Sequence, residues 1–226
     1  MHRHSASTDS PLQPGRLFVL STLVAAVLAT AGSALAGPPL LCHPFDIGPA
    51  RSLPWDGRSS WFDVDPAYNL ASLVADTEAL LTPSTPVIVR METLRRAAIY
   101  AGRDAAVARQ LLDRVAERAL GSAAKEPDAL AIFDAGYLVE ALRQLTMVPQ
   151  FQAHRAALEP LVAGKDGYVM VKKSLALRPN DASLEFGAAL VASGKDRGAY
   201  RSHAERARAG ANGDVLLAKN LNQLGS

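Results

Sequence analysis

From Asp65 onward the chain divides into segments of roughly ten to twenty residues, each with apolar side chains at helical spacing and each closed by a Pro or Gly break. Leu70, Leu73, Val74, Thr77, Leu80 and Leu81 share one helical face, and Thr82-Pro83-Ser84-Thr85-Pro86 ends that segment. Asp65-Pro66 offers an N-cap acceptor followed by Pro at the first helical position, and Thr85-Pro86 repeats the device for the second helix. In that helix Val87, Met91, Leu94, Ala98 and Ala101 form a stripe. After the turn Gly102-Arg103-Asp104, a third helix points Val107, Leu111, Val115 and Ala119 inward and Arg109, Asp113, Arg114, Glu117 and Arg118 outward. Beyond the loop from Gly121 to Glu126, Pro127 opens a fourth helix running to Leu145. Its apolar set (Leu130, Ile132, Phe133, Tyr137, Leu138, Ala141, Leu142, Leu145) covers most of its girth, as in a helix sandwiched between neighbours. Further helices are predicted over 151–163, 168–177, 182–193, 198–209 and 214–224. Val87-Ile88-Val89 and Val169-Met170-Val171 are short apolar clusters inside helical periods, and no alternating segment of useful length occurs. The expected class is all-α, with short loops that make successive helices antiparallel neighbours.

The first 36 residues have the pattern of a targeting segment. A polar stretch with Arg3 and Arg16 precedes the apolar run Leu17 to Thr30, and Ala34-Leu35-Ala36 gives a small-x-small motif for cleavage between Ala36 and Gly37. The rival reading is an uncleaved anchor, since Leu17 to Ala36 is about as long as a bilayer span. Ser21, Thr22, Thr30 and Ser33 weaken it, as does the lack of a basic stop after Ala36. Pro39-Leu40-Leu41 before Cys42 departs from a lipobox, and no Arg-Arg pair marks a twin-arginine route. The general secretory route to a bacterial periplasm or the extracellular space is expected. Cleavage leaves about 190 residues near neutrality, and no association with the membrane is expected after it. With 24 Lys and Arg against 22 Asp and Glu, a polybasic nucleic-acid binder is excluded.

Residues 37–65 are compositionally distinct: five Pro, both Trp (Trp55, Trp61), Phe45, Phe62 and the lone Cys42, with no helical or two-residue period. A flexible linker has no need of two Trp, so an irregular arm whose aromatics lie along the helical body is expected.

Within residues 165–222, Ser174-Leu175-Ala176-Leu177-Arg178-Pro179-Asn180-Asp181-Ala182 resembles the junction between two tetratricopeptide repeats. Phe186-Gly187-Ala188-Ala189-Leu190 is similar to the small-residue centre of the first helix of such a repeat, and Ala199 falls at the small residue of the second. His203 stands where an aromatic is usual, and a second Gly follows Gly194 at Gly198. The resemblance implies antiparallel helical hairpins stacked as a short tetratricopeptide-like α-solenoid over 66–226. It also implies a protein- or peptide-binding scaffold without a catalytic residue or a cofactor.

Cys42-His43-Pro44-Phe45-Asp46 is the one cluster with chemical potential: a thiolate, an imidazole and a carboxylate are the residue types of a metal site or a nucleophile pair. Adjacent Cys and His do not easily present both heads to one small ion. A single Cys excludes an internal disulfide framework and leaves a buried thiol or an intermolecular bridge. His154 is expected on an exposed helix face, and His203 as a satisfied interior imidazole. Glu92 and Arg96, at i and i+4, are expected to pair on the surface, worth about 0.2–0.5 kcal/mol. Arg95 leans toward the apolar face and requires a carboxylate or backbone carbonyls, with Asp76 or Asp113 as suppliers. The Arg90, Glu92, Arg95 and Arg96 network is read as structural, or else as an anion- or peptide-binding groove. Glu140, on the most apolar helix, is expected to pack beside an Arg. The leading expectation is an exported, non-enzymatic helical-repeat scaffold of the cell envelope that binds a protein or peptide. The alternative is an enzyme or metal-dependent factor using Cys42, His43 and Asp46, with His154 or His203 folded nearby.

Overall fold

Aspartates set most of the helix starts. In the computed structural model, which describes residues 1–2, 37–121 and 126–225, α3 (Ala105–Leu120), α4 (Ala129–Leu145), α6 (Gly167–Leu177), α7 (Ala182–Ala192), α8 (Arg197–Gly210) and α9 (Val215–Asn220) each begin after an Asp. The side chains of Asp104, Asp128, Asp166, Asp181, Asp196 and Asp214 accept backbone N–H groups of the first turn, which otherwise have no partner. The remaining helices, α1 (Leu73–Leu80), α2 (Val87–Ala101) and α5 (Arg155–Val162), lack a side-chain cap. Residues 3–36, which hold nearly all of the expected leader and its expected cleavage residue Ala36, lie outside the described residues, as does most of the loop 121–126.

Both expected Pro-linked caps turn out otherwise. The Asp65 carboxylate closes a local turn onto Ala67 N–H, and the chain becomes helical only after Asn69 caps the short 3-10 turn Leu70–Ser72. The Thr85 hydroxyl turns back to donate to the Leu80 carbonyl, so it braces the end of α1 rather than the start of α2. The expected helix over 151–163 is divided into a 3-10 turn, Pro149–His154, and α5.

The described residues are all-helical, with an irregular stretch before α1 and no strand. Three helices form the interior: α2, α4 and α7 are buried on nearly every residue. The stripe expected on α2 understates its burial, because polar Arg90, Glu92, Thr93 and Arg95 are enclosed along with it. The amphipathic helices α3, α5 and α8 cover this interior with one apolar face each. The most extensive pairings are α7 with α8, α4 with α6, and α3 with α4.

Close approach of α4 to α6 depends on two glycines. A Cβ on Gly136 would lie 2.5 Å from the Gly167 carbonyl oxygen and 2.9 Å from Met170 Cβ, and a Cβ on Gly167 would strike the Gly136 carbonyl. Gly187 makes room for something else: a Cβ there would meet the Phe133 ring at 2.7 Å, so its smallness admits an aromatic from α4. We expect Gly136→Ala to destabilise the protein by about 1–3 kcal/mol, because backbone rather than a flexible side chain blocks the new methyl group. Gly213→Ala, which meets nothing within 4 Å, should leave the urea midpoint nearly unchanged. Equal midpoints for the two variants would contradict the close approach.

Candidate functional site

The arm, residues 37–65, contains neither helix nor strand, so its peptide groups have no ladder or helix to satisfy them. Side chains of the helical body do so. Leu40 N–H donates to Gln144 Oε1 of α4 at 2.9 Å, and Phe45 N–H to Glu92 Oε2 of α2 at 3.0 Å. Asn220 at the end of α9 takes both groups of Asp46, accepting its N–H at 2.9 Å and donating to its carbonyl at 2.9 Å. Gln223 donates to the Pro44 carbonyl at 3.1 Å, Arg96 to Leu53 at 2.5 Å, and the Tyr100 hydroxyl to Pro54 at 2.8 Å. Apolar anchors accompany these bonds. Leu40 and Leu41 are wholly buried, Phe45 sits edge-on to Phe186 of α7 with centroids 6.0 Å apart, and Leu53 is buried. Each such anchor is worth about 1.5–3 kcal/mol relative to exposure.

Beneath the arm lies the charge cluster of α2. Glu92 is fully buried and holds Arg95 through two oxygens, at 2.8 and 2.9 Å, and Arg96 at 2.6 Å. The expected surface pair is therefore an interior one. Arg95 completes its bonding with the carbonyls of Leu41 at 3.0 Å and Trp61 at 3.2 Å, rather than with Asp76 or Asp113. Its guanidinium lies 4.8 Å from the Trp55 ring centroid. Burial pulls the Glu92 carboxyl upward, but Arg95 and Arg96 together overcome this and hold it below the ordinary carboxylate range.

A second buried pair, Arg90 and Asp134, sits on the interior helices α2 and α4 at 2.9 Å. Arg90 also donates to the Thr82 carbonyl at 2.7 Å, and Arg118 of α3 to that of Leu81 at 2.6 Å, which closes the C-terminal end of α1. Arg90 Nε, Arg118 Nη1 and Asp134 Oδ1 are buried without a hydrogen-bond partner. Burial outweighs the attraction of Arg90 and pushes the Asp134 carboxyl up to about 7.

The predicted cluster does not assemble. The Cys42 sulfur lies beside Gly37, the Asp46 carboxylate faces Gly48 N–H and Lys219, and His43 Nε2 is buried without a partner. Burial raises the Cys42 thiol against the smaller lowering effect of Arg95, opposite to an activated nucleophile. No group of three His, Cys, Asp or Glu suited to a metal occurs among the described residues.

His203 joins a chain unseen in the sequence. The Tyr168 hydroxyl hydrogen-bonds His203 Nε2 at 2.8 Å, Nδ1 is 2.5 Å from Glu185 Oε2, and Arg206 Nε donates to Glu185 Oε1 at 2.6 Å. Carboxylate, imidazole and hydroxyl in series is the order used in nucleophilic catalysis. Here the hydroxyl is a phenol that burial holds protonated, so it serves as a donor tying α6 to α7 and α8. With Nδ1–H directed at Glu185, the Arg206 Nη2 atom 2.7 Å from Nδ1 is a contact between two donors. Glu140 is buried with Arg143 at 3.2 Å, Lys195 at 2.6 Å and the Gly167 N–H at 2.9 Å. His154 is half-buried beside a small cavity.

No protein-family model matches the chain, and neither a curated protein nor a solved structure matches it.

Two outcomes are expected from these pairs. Glu92→Ala strands Arg95 in the interior and should cost about 3–5 kcal/mol, whereas Glu117→Ala, removing an exposed pair with Arg114, should leave the denaturation midpoint unchanged. Because the folded Asp134 carboxyl binds its proton more tightly than the unfolded one, its contribution is fully present below about 3.8 and lost as pH rises through about 7. Wild type should therefore gain stability relative to Asp134→Asn between pH 8 and pH 5. A pH-independent difference in urea midpoints would contradict this.

Proposed function

We propose that this protein is an exported, non-enzymatic scaffold of the cell envelope, built from tetratricopeptide-like helical repeats, that binds a protein or peptide partner. The leader pattern supports export to the periplasm or beyond. The repeat-like junction at Ser174–Ala182 supports the repeat reading, together with the pairing of α7 and α8. The observation that carries the binding reading is the arm itself. An irregular, non-helical segment is held through its backbone by Gln144, Glu92, Arg95, Arg96, Asn220 and Gln223, with apolar side chains seated between the helices. Backbone hydrogen bonds for affinity and apolar anchors for register are the means by which proteins hold extended peptides. In this reading the interior helix face is a peptide-binding surface filled by the chain's own N-terminal segment. Nucleic acid and membrane are not expected partners.

A nick tests it. Residues 57–59 are exposed, so a protease site placed there can be cut after folding. The mature protein, expected to begin at Gly37, should keep its arm fragment through gel filtration. Fresh arm peptide should exchange in, once the first is removed in mild denaturant. Loss of the fragment on dilution while the helical signal stays intact would oppose the peptide-binding reading.

A further inference from the structure

Where the arm passes the α2–α3 turn, a cavity of about 300 Å³ opens, lined by Phe62, Arg103, Gln150, Phe151 and His154. Its apolar wall is deliberate in one respect. Phe151 is buried, and it reaches its place only because residue 102 is glycine: a Cβ there would lie 2.9 Å from Phe151 Cε1 and 2.7 Å from Leu145 Cδ1. Phe62 supplies a second phenyl group and is fixed edge-on to Trp61, with centroids 5.3 Å apart. Arg103 is anchored by Nη2, which donates to the Phe62 carbonyl at 2.9 Å. Its Nε and Nη1, and the side chains of Gln150 and His154, have no protein hydrogen-bond partner among the described residues. Among the described residues no carboxylate lines the cavity. The one nearby acid on the same turn, Asp104, is committed to capping α3.

We propose that this cavity binds a ligand that carries a carboxylate next to a flat apolar group. The anchored guanidinium presents a positive charge with donors to spare, and a planar fork of donors matches a carboxylate. Gln150 and His154 add polar contacts at the rim, and the half-buried Phe62 ring, backed by Phe151, takes the apolar body. A bare inorganic anion would satisfy Arg103 but leave the exposed part of the Phe62 ring uncovered. The same chemistry is offered by a free aromatic acid and by the terminal carboxylate of a polypeptide ending in an aromatic residue. The second source rests on the scaffold reading; the first does not.

The test is titration of the purified mature protein, followed by calorimetry and by the imidazole NMR signals of His154. The probes are phenylacetate, phenylacetamide, inorganic phosphate, and a short peptide ending in Phe as free acid or as amide. Saturable binding of phenylacetate or the free-acid peptide, at least tenfold tighter than the matched amide and tighter than phosphate, is the expected result. Arg103→Gln should weaken it at least tenfold, and Arg109→Gln on the exposed face of α3 should not. Binding of phenylacetate alone assigns a free acid, and binding of the peptide acid alone assigns a chain end; either sustains the proposal. It is overturned if neither probe saturates, if amide and acid bind equally, or if Arg103→Gln binds as wild type does with its circular dichroism unchanged. Failure of the peptide with success of phenylacetate leaves the site standing and removes its link to the scaffold.

Discussion

The Glu92 carboxylate determines how the rest of this chain can be arranged. Buried ions are costly to desolvate, and one acid facing two guanidinium groups is not neutral by itself. The surplus positive charge on Arg95 is met by two carbonyls, Leu41 and Trp61, both from the arm. Phe45 N–H supplies a donor to Glu92 in return. Helix and arm are therefore mutually dependent: without the arm, Arg95 loses the two carbonyls that complete its bonding, and without Glu92 the Phe45 N–H loses its acceptor and Arg95 its counter-charge. This makes the irregular segment a part of the core, with Leu40, Leu41 and Leu53 enclosed as fully as any helical leucine.

The same constraint recurs through the interior helices. Each of α2, α4 and α7 is enclosed on all sides, yet each carries ionisable residues: Arg90, Glu92 and Arg95; Asp134 and Glu140; Glu185. All find partners on another segment, so that each pair also fixes the relative position of two elements. Glu140 bonds the Gly167 N–H at the very contact where α4 and α6 touch backbone to backbone. Glu185 fixes α7 to α8 through His203 and Arg206. Apolar packing alone tolerates sliding between helices. These buried pairs remove it, at a cost in desolvation that the Asp134 carboxyl shows most plainly by its raised affinity for a proton.

Helix positions were legible because breaks are local: Asp128, Asp181 and Asp214 act on N–H groups two or three residues away. The two Pro-linked caps misled because Asp65 and Thr85 had competing partners equally near, at Ala67 and Leu80. Burial of α2 was legible only in part. Its Arg and Glu follow helical spacing and look like a solvated face, while the segment that covers them lies about forty to fifty residues upstream and has no period to read. Asn220 and Gln223, which hold that segment from more than 170 residues away, carry no local mark at all. The Arg103 cavity was equally hidden, since it joins residues from the arm, a helix turn and the segment 149–154.

The arm has opposite consequences at its two ends. At Leu40 to Asp46 it closes the interior helix face, and its leucines make that closure part of the fold. At Phe62 it opens a surface, because its carbonyl anchors Arg103 and its ring contributes to the cavity. A ligand at that cavity would touch the arm and the α2–α3 turn together, and so would stabilise the docked arm by the free energy with which it binds. Coupling of this kind needs no movement of the helices. It requires only that Phe62 leave its place when the arm does, which the Arg96 and Tyr100 bonds to Leu53 and Pro54 resist by holding the chain just upstream.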